Sequence, residues 1–131
     1  MVLRLLLHED AKRDLAAIKL EAPRLAVRLA TLLQELSADE ALLEMLTAHD
    51  FGSDRRAAFQ VNRWQEHWGR GKDLWRLKFW ELEDQGIPYR VIYALKRGTG
   101  NHHVLAIVNR DFNYDSNHLI TRRVLRAYDD L

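Results

Sequence analysis

A chain of 131 residues, 47% of them hydrophobic and only two of them proline, is long enough for one compact domain with a real core and too short for two. The absence of cysteine excludes disulfide frameworks, thiol catalysis and thiolate zinc sites. A formal charge of +1 hides an asymmetry: residues 1–50 carry six Lys/Arg against nine Asp/Glu, residues 55–110 eleven against five, which points to an anionic ligand on one part of the surface without naming the anion.

The opening VLRLLLH reads as a short strand, and Met1 to Leu7 is far too short for a secretory h-region. No apolar run approaches the roughly 20 residues needed to cross a bilayer, so no membrane partner is expected and the cytoplasm is the default compartment. EDAKRDLAAIKL places Ala11, Leu15 and Ile18 at helical spacing, with Ala22 at its end, behind Glu9 and Asp10, which favour a first turn. Pro23 interrupts that helix because the residue before a proline is pushed away from helical angles, and it suits the first position of a second helix. RLAVRLATLLQEL supplies this helix, with a stripe of Leu25, Leu29, Leu32, Leu33 and Leu36 wide enough to pack on a sheet. Ser37 and Glu40 have capping-box spacing, which predicts a third, shorter helix through about Leu46, and residues 47–57 read as loop.

AFQVNRWQ is compatible with an edge strand, and HWGRGKD reads as a turn on Gly69 and Gly71. LWRLKFWEL and PYRVIYAL are strand-like runs flanking the turn EDQGI, and HVLAIVNR follows the glycine turn RGTGN as a third. DFNYDSN is irregular, with Asp115, Ser116 or Asn117 available to cap a terminal helix whose apolar side is Leu119, Ile120, Val124, Leu125 and Tyr128. There is no internal repeat and no low-complexity tract. This order predicts an α+β fold over residues 1–131: an antiparallel sheet of three to five strands, two or three N-terminal helices laid on one sheet face, and a C-terminal helix.

The run from Leu74 carries the chemistry. At the period of two that a strand imposes, Trp75, Leu77 and Phe79 fall on one face and Arg76 and Lys78 on the other, a cationic surface that suits an anionic partner, RNA first. Trp64, Trp68, Trp75 and Trp80 lie among Arg63, Arg70, Lys72, Arg76 and Lys78, and rings beside cations can stack single-stranded bases. Core packing accounts for them better, with Trp80, of Arg76 and Lys78 parity, the one plausible platform. Adjacent His102 and His103 on a hairpin strand point to opposite faces, and no third ligand follows at a recognisable spacing, so neither a metal nor another cofactor is expected.

The two N-terminal helices followed by LWRLKF, the turn, PYRVIYAL and HVLAIVNR resemble the RelE/ParE superfamily of toxins from bacterial toxin–antitoxin systems. The likeness is best over residues 74–110, and its most specific part is Pro88-Tyr89-Arg90-Val91-Ile92-Tyr93. The resemblance implies a toxin held inactive by a cognate antitoxin protein, with one of two activities on one fold. RelE-like members are ribosome-dependent endoribonucleases, mRNA interferases that cut messenger RNA, whereas ParE-like members poison DNA gyrase and lack the RNase site. Carried over by position, Arg76 and Lys78 match the basic residues of the second core strand, Arg90 the arginine of the third and Arg110 the arginine ending the fourth, with Tyr114 a looser match to a C-terminal tyrosine.

Metal-free RNA cleavage by the ribose 2′-OH needs one proton removed, the leaving 5′ oxygen protonated and a phosphorane neutralised. Arg90 is assigned to the scissile phosphate, since a guanidinium offers forked donors, and Arg76 and Arg110 to the developing charge. Tyr114 and His118 are the candidates for proton transfer. His118 has its reference pKa near neutrality, whereas a tyrosine near about 10 needs neighbouring cations to lower it, and Lys78 could come into range by desolvation. Asp111 and Asp115 beside Tyr114 would act in the opposite sense on its phenol. The same cationic sheet also serves the alternative, a non-catalytic module that grips nucleic acid or an acidic protein.

Overall fold

In the computed structural model, which describes residues 2–112, 114–115 and 117–131, the chain opens with β1 (Arg4–Leu7), α1 (Glu9–Glu21), α2 (Pro23–Ser37) and α3 (Glu40–Glu44). Then follow β2 (Phe59–Arg63), α4 (Gln65–Trp68), β3 (Leu74–Phe79), α5 (Trp80–Asp84), β4 (Tyr89–Leu95), β5 (Asn101–Asn109) and α6 (Leu119–Asp129). Among the described residues no helix is long and apolar enough to cross a membrane.

The fold is α+β, as its element order predicts. Five strands form one sheet in the order β1–β5–β4–β3–β2. All neighbours are antiparallel except β1, which lies parallel to β5, so the sheet is mixed rather than wholly antiparallel. Alternation in VLRLLLH specifies a strand but not its neighbour. The α1–α2 hairpin between β1 and the rest of the sheet delivers it alongside β5 in the same direction.

Helices cover both faces of the sheet, not one. On the first face, α1 and α2 bury Ala11, Ile18, Leu29, Leu32, Leu33 and Leu36 against Val61, Trp75, Leu77, Val91, Tyr93 and Ile107. Each fully buried leucine of that stripe contributes about 1.5–3 kcal/mol. The Tyr93 hydroxyl donates to the Leu46 carbonyl, which ties the end of the helical layer to the sheet. On the second face, α6 packs Val124 and Ala127 on Ile92, Leu105, Ala106 and Val108. A β-bulge helps, because the register between β4 and β5 slips at Ile92/Tyr93 and both Leu105 and Ala106 join this second cluster.

Local chemistry accounts for several boundaries. Pro23 does occupy the first turn of α2. The N-cap of α3 is Asp39, whose carboxylate accepts the Leu42 N–H at 3.1 Å, rather than Ser37, which still belongs to α2. β3 ends at Phe79, earlier than the run LWRLKFWEL suggests. Trp80 donates its backbone N–H to Ala58, and Glu81 is held by Arg28 of α2 through bonds of 2.5 and 2.6 Å, so Trp80–Asp84 coils into α5. α6 is capped by His118, whose Nδ1 accepts the Ile120 N–H at 3.0 Å, in place of Asp115 or Asn117; Ser116 lies outside the described residues. Leu119, expected on the apolar side of this helix, is exposed.

β1 is only four residues long and pairs no further than Val104, which leaves the outer edge of β5 beyond it uncovered by a strand. Asp14 of α1 takes over there, accepting the Ile107 N–H at 2.9 Å and a forked pair from Arg123 of α6 at 2.9 and 2.7 Å. One carboxylate thus satisfies a backbone donor and joins the helices of the two faces.

Candidate functional site

On the second face α6 covers β5 and the near ends of β4 and β3, and the corner formed by β2, β3 and β4 carries polar residues instead. Register places them in rows: Arg76 sits between Asn62 and Ile92, Lys78 opposite Gln60, and Arg90 opposite Val108. They line a cavity of about 90 Å³ that opens to solvent, its wall made by Gln60, Asn62, Arg76, Leu77, Lys78, Arg90 and Tyr114. Arg76, Lys78, Arg90 and Tyr114 are therefore brought together by strands and a loop distant in sequence.

Tyr114 arrives from the segment after β5. Its φ of 53° is in the left-handed region, a conformation that costs a non-glycine residue about 1–2 kcal/mol. Aromatic packing holds it there: Trp64 meets its ring edge-on at 5.3 Å, and Phe112 lies at 5.3 Å. The Arg76 guanidinium stands 4.7 Å above the same ring. Burial pushes the phenol pKa up, and the nearby charges of Arg76 and Arg90 only partly oppose it. The hydroxyl makes no hydrogen bond of normal length and angle among the described residues. Tyr114 is thus a proton holder, and the cause is burial rather than Asp111 or Asp115.

Lys78 is displaced in the other direction. Burial lowers its pKa, and the charges of Arg90, Arg76 and Arg55 lower it further against the pull of Glu83. Neither Lys78 nor Arg76 forms an ion pair among the described residues; each faces an aromatic ring, Lys78 lying 5.0 Å from that of Trp80. Arg90, by contrast, donates through Nε to Glu83 at 3.0 Å. Glu83 is mostly buried, and its other oxygen is 3.9 Å from Arg110.

Two of the expected residues stand apart. Arg110 opens a 3₁₀ turn after β5, half exposed, and is not part of the cavity wall, although it shares Glu83 with Arg90. His118 also lies off the wall: its Nδ1 is used by the helix cap, and its ring packs edge-on against Phe112 at 5.0 Å. Gln60, Asn62 and Glu83 belong to the site and were not anticipated. The first two were legible in principle, since in AFQVNRWQ they alternate with Phe59 and Val61 as Arg76 and Lys78 do with their neighbours. Glu83 becomes a partner of Arg90 only because α5 folds back toward β4.

Trp64 and Trp75 are core residues, as expected, and Trp68 is part-exposed with Arg63 stacked on it at 4.2 Å. His102 is buried on β5, with burial lowering its pKa, and its Nδ1 is 3.3 Å from the Arg4 carbonyl. Among the described residues no group of three or more His, Asp or Glu could hold a metal ion.

No protein-family model matches the chain, and no curated protein or solved structure does.

Proposed function

We propose that the chain is the toxin of a bacterial toxin–antitoxin pair, a RelE-like endoribonuclease that acts in the cytoplasm on messenger RNA in the ribosomal decoding site. The observation that carries this reading is the meeting of Arg76, Lys78, Arg90 and Tyr114 around one small cavity. Three cations and a phenol stand around this hollow of about 90 Å³, an arrangement that suits a single phosphate group.

In this mechanism the ribose 2′-OH gives its proton to Lys78, whose burial among guanidiniums favours the neutral amine, as the 2′ oxygen attacks the adjacent phosphorus. Arg90 and Arg76 neutralise the phosphorane oxygens. The P–O5′ bond breaks as the 5′ oxygen takes the proton that burial keeps on Tyr114. The products are a 2′,3′-cyclic phosphate and a 5′-hydroxyl, and transfer of one proton from Lys78 back to Tyr114 through solvent restores the site. An incoming phosphate competes with Glu83 for Arg90, and Arg110 supports Glu83 from outside the cavity. A cognate antitoxin would hold the toxin inactive.

The Glu83–Arg90 pair favours a second reading, in which the arginine stays occupied and the sheet serves a ParE-like gyrase poison or a non-cleaving binding module. Expression in bacteria separates them. The nuclease arrests growth and leaves transcripts with 2′,3′-cyclic ends, and Arg90→Ala restores growth. Intact transcripts with altered DNA supercoiling select the gyrase poison, and salt-sensitive RNA binding with intact ends selects the module.

A further inference from the structure

The cationic row does not stop at the cavity. Lys78 reaches from the cavity wall to the Trp80 ring, and on that ring stacks the Arg55 guanidinium, its Cζ 4.2 Å from the centroid. Both partners of this stack are held in place. The Trp80 indole N–H donates to the Gly52 carbonyl at 2.9 Å, and Arg55 donates to Asp84 at 2.8 Å. Gly52 is required for the first of these contacts: its φ is +83°, and a Cβ there would lie 1.8 Å from the Phe59 carbonyl oxygen. Even so, the Arg55 side chain remains 53% exposed. A flat cation is thus backed by an indole, pinned at its edge by a carboxylate and open to solvent, in line with the cationic cavity through Lys78.

We propose that Arg55, backed by Trp80, is the platform for an unpaired base flanking the phosphate held by Arg76 and Arg90, so that the ligand is single-stranded RNA of at least two nucleotides. The assignment rests on the nuclease reading for its substrate class and deepens it. A guanidinium plane stacks any base, which makes the platform tolerant of sequence, and its charge faces the backbone at the same time. The indole alone, as the sequence suggests it, is not the platform, because Arg55 already lies over it.

The test is calorimetric binding of a 2′-O-methyl tetra-adenylate, which cannot be cut by 2′-OH attack, and of the same oligonucleotide with its bases removed. Arg55→Ala should weaken the base-bearing ligand about ten- to a hundredfold. It should leave the abasic one nearly unchanged, and Arg55→Lys, which keeps charge but loses the plane, should behave like Arg55→Ala. Equal losses for both ligands, or full rescue by Arg55→Lys, would reduce Arg55 to a phosphate contact and overturn the platform. Tight binding of a duplex would do so as well. If Arg55→Ala binds as wild type, or the wild-type chain binds neither oligonucleotide, while expression still leaves 2′,3′-cyclic ends that Arg90→Ala abolishes, the platform fails and the nuclease stands; if those ends never form, the nuclease reading fails as well. Unchanged thermal unfolding of the exposed Arg55 variants assures that binding alone is being read.

Discussion

The two faces of β3 obey different rules over the same six residues. Toward α1 and α2, Trp75, Leu77 and Phe79 are each at most 3% exposed, sealed in a continuous apolar layer. Toward the other side only Leu74 is sealed, under α6, while Arg76 and Lys78 line a cavity with Arg90. Where a helix covers the sheet the strand invests in packing, and where α6 runs out it gathers like charges that repel one another and lose hydration. The first arrangement stabilises the fold, and the second is tolerated at its expense, which is the pattern expected of a functional site.

Substitutions on the two faces should therefore separate stability from activity. The largest loss of stability is expected from Trp75→Ala on the covered face, about 3–5 kcal/mol, because it opens a cavity in the core and leaves Asp73 without its 2.7 Å indole donor. Denaturant unfolding would read it as a lower midpoint at constant slope. On the open face, Lys78→Arg keeps the charge but removes the amine whose pKa burial and the neighbouring guanidiniums lower. If the chain is the nuclease proposed above, cleavage should fall about 100- to 10,000-fold with little change in RNA affinity; an unaltered single-turnover rate would remove Lys78 from proton transfer. Between the faces, Gly52→Ala forces the loop off β2 and loosens the Trp80 anchor, costing about 1–3 kcal/mol and weakening oligonucleotide binding together.

The smallest effect has the opposite sign. Because burial depresses the Lys78 pKa, the unfolded chain holds the Lys78 proton more tightly than the folded one. The penalty is present below the folded pKa and fades as pH rises through it toward the unfolded value. Lys78→Met should thus raise stability at neutral pH by roughly 0.5–2 kcal/mol, with an advantage that shrinks in alkaline solution. Thermal unfolding across pH 7 to about 10.5 measures this, and a destabilised variant at pH 7 would show that the lysine stem packs better than its charge repels.

Periodicity alone determined a good deal: the helical hairpin broken at Pro23, the apolar stripe of α2, the edge strand at Phe59, and the parity that puts Arg76 and Lys78 on one face. These follow from local geometry, since alternation and helical spacing are properties of contiguous residues. Arg90 was placed by its neighbourhood in PYRVIYAL, and its company with Arg76 and Lys78 needed only antiparallel pairing at the observed register. Partners in space were another matter. That β1 lies parallel to β5, that α6 occupies the second face, and that α5 turns Glu83 onto Arg90 and Trp80 under Arg55 are choices among packings that leave the same local pattern. His118 and Arg110 lie off the cavity wall for the same reason: His118 caps α6, and Arg110 opens the turn that follows β5 and approaches Glu83 from there. Which side chains share a cavity is decided by long-range register and layer order, and only the folded chain contains that information.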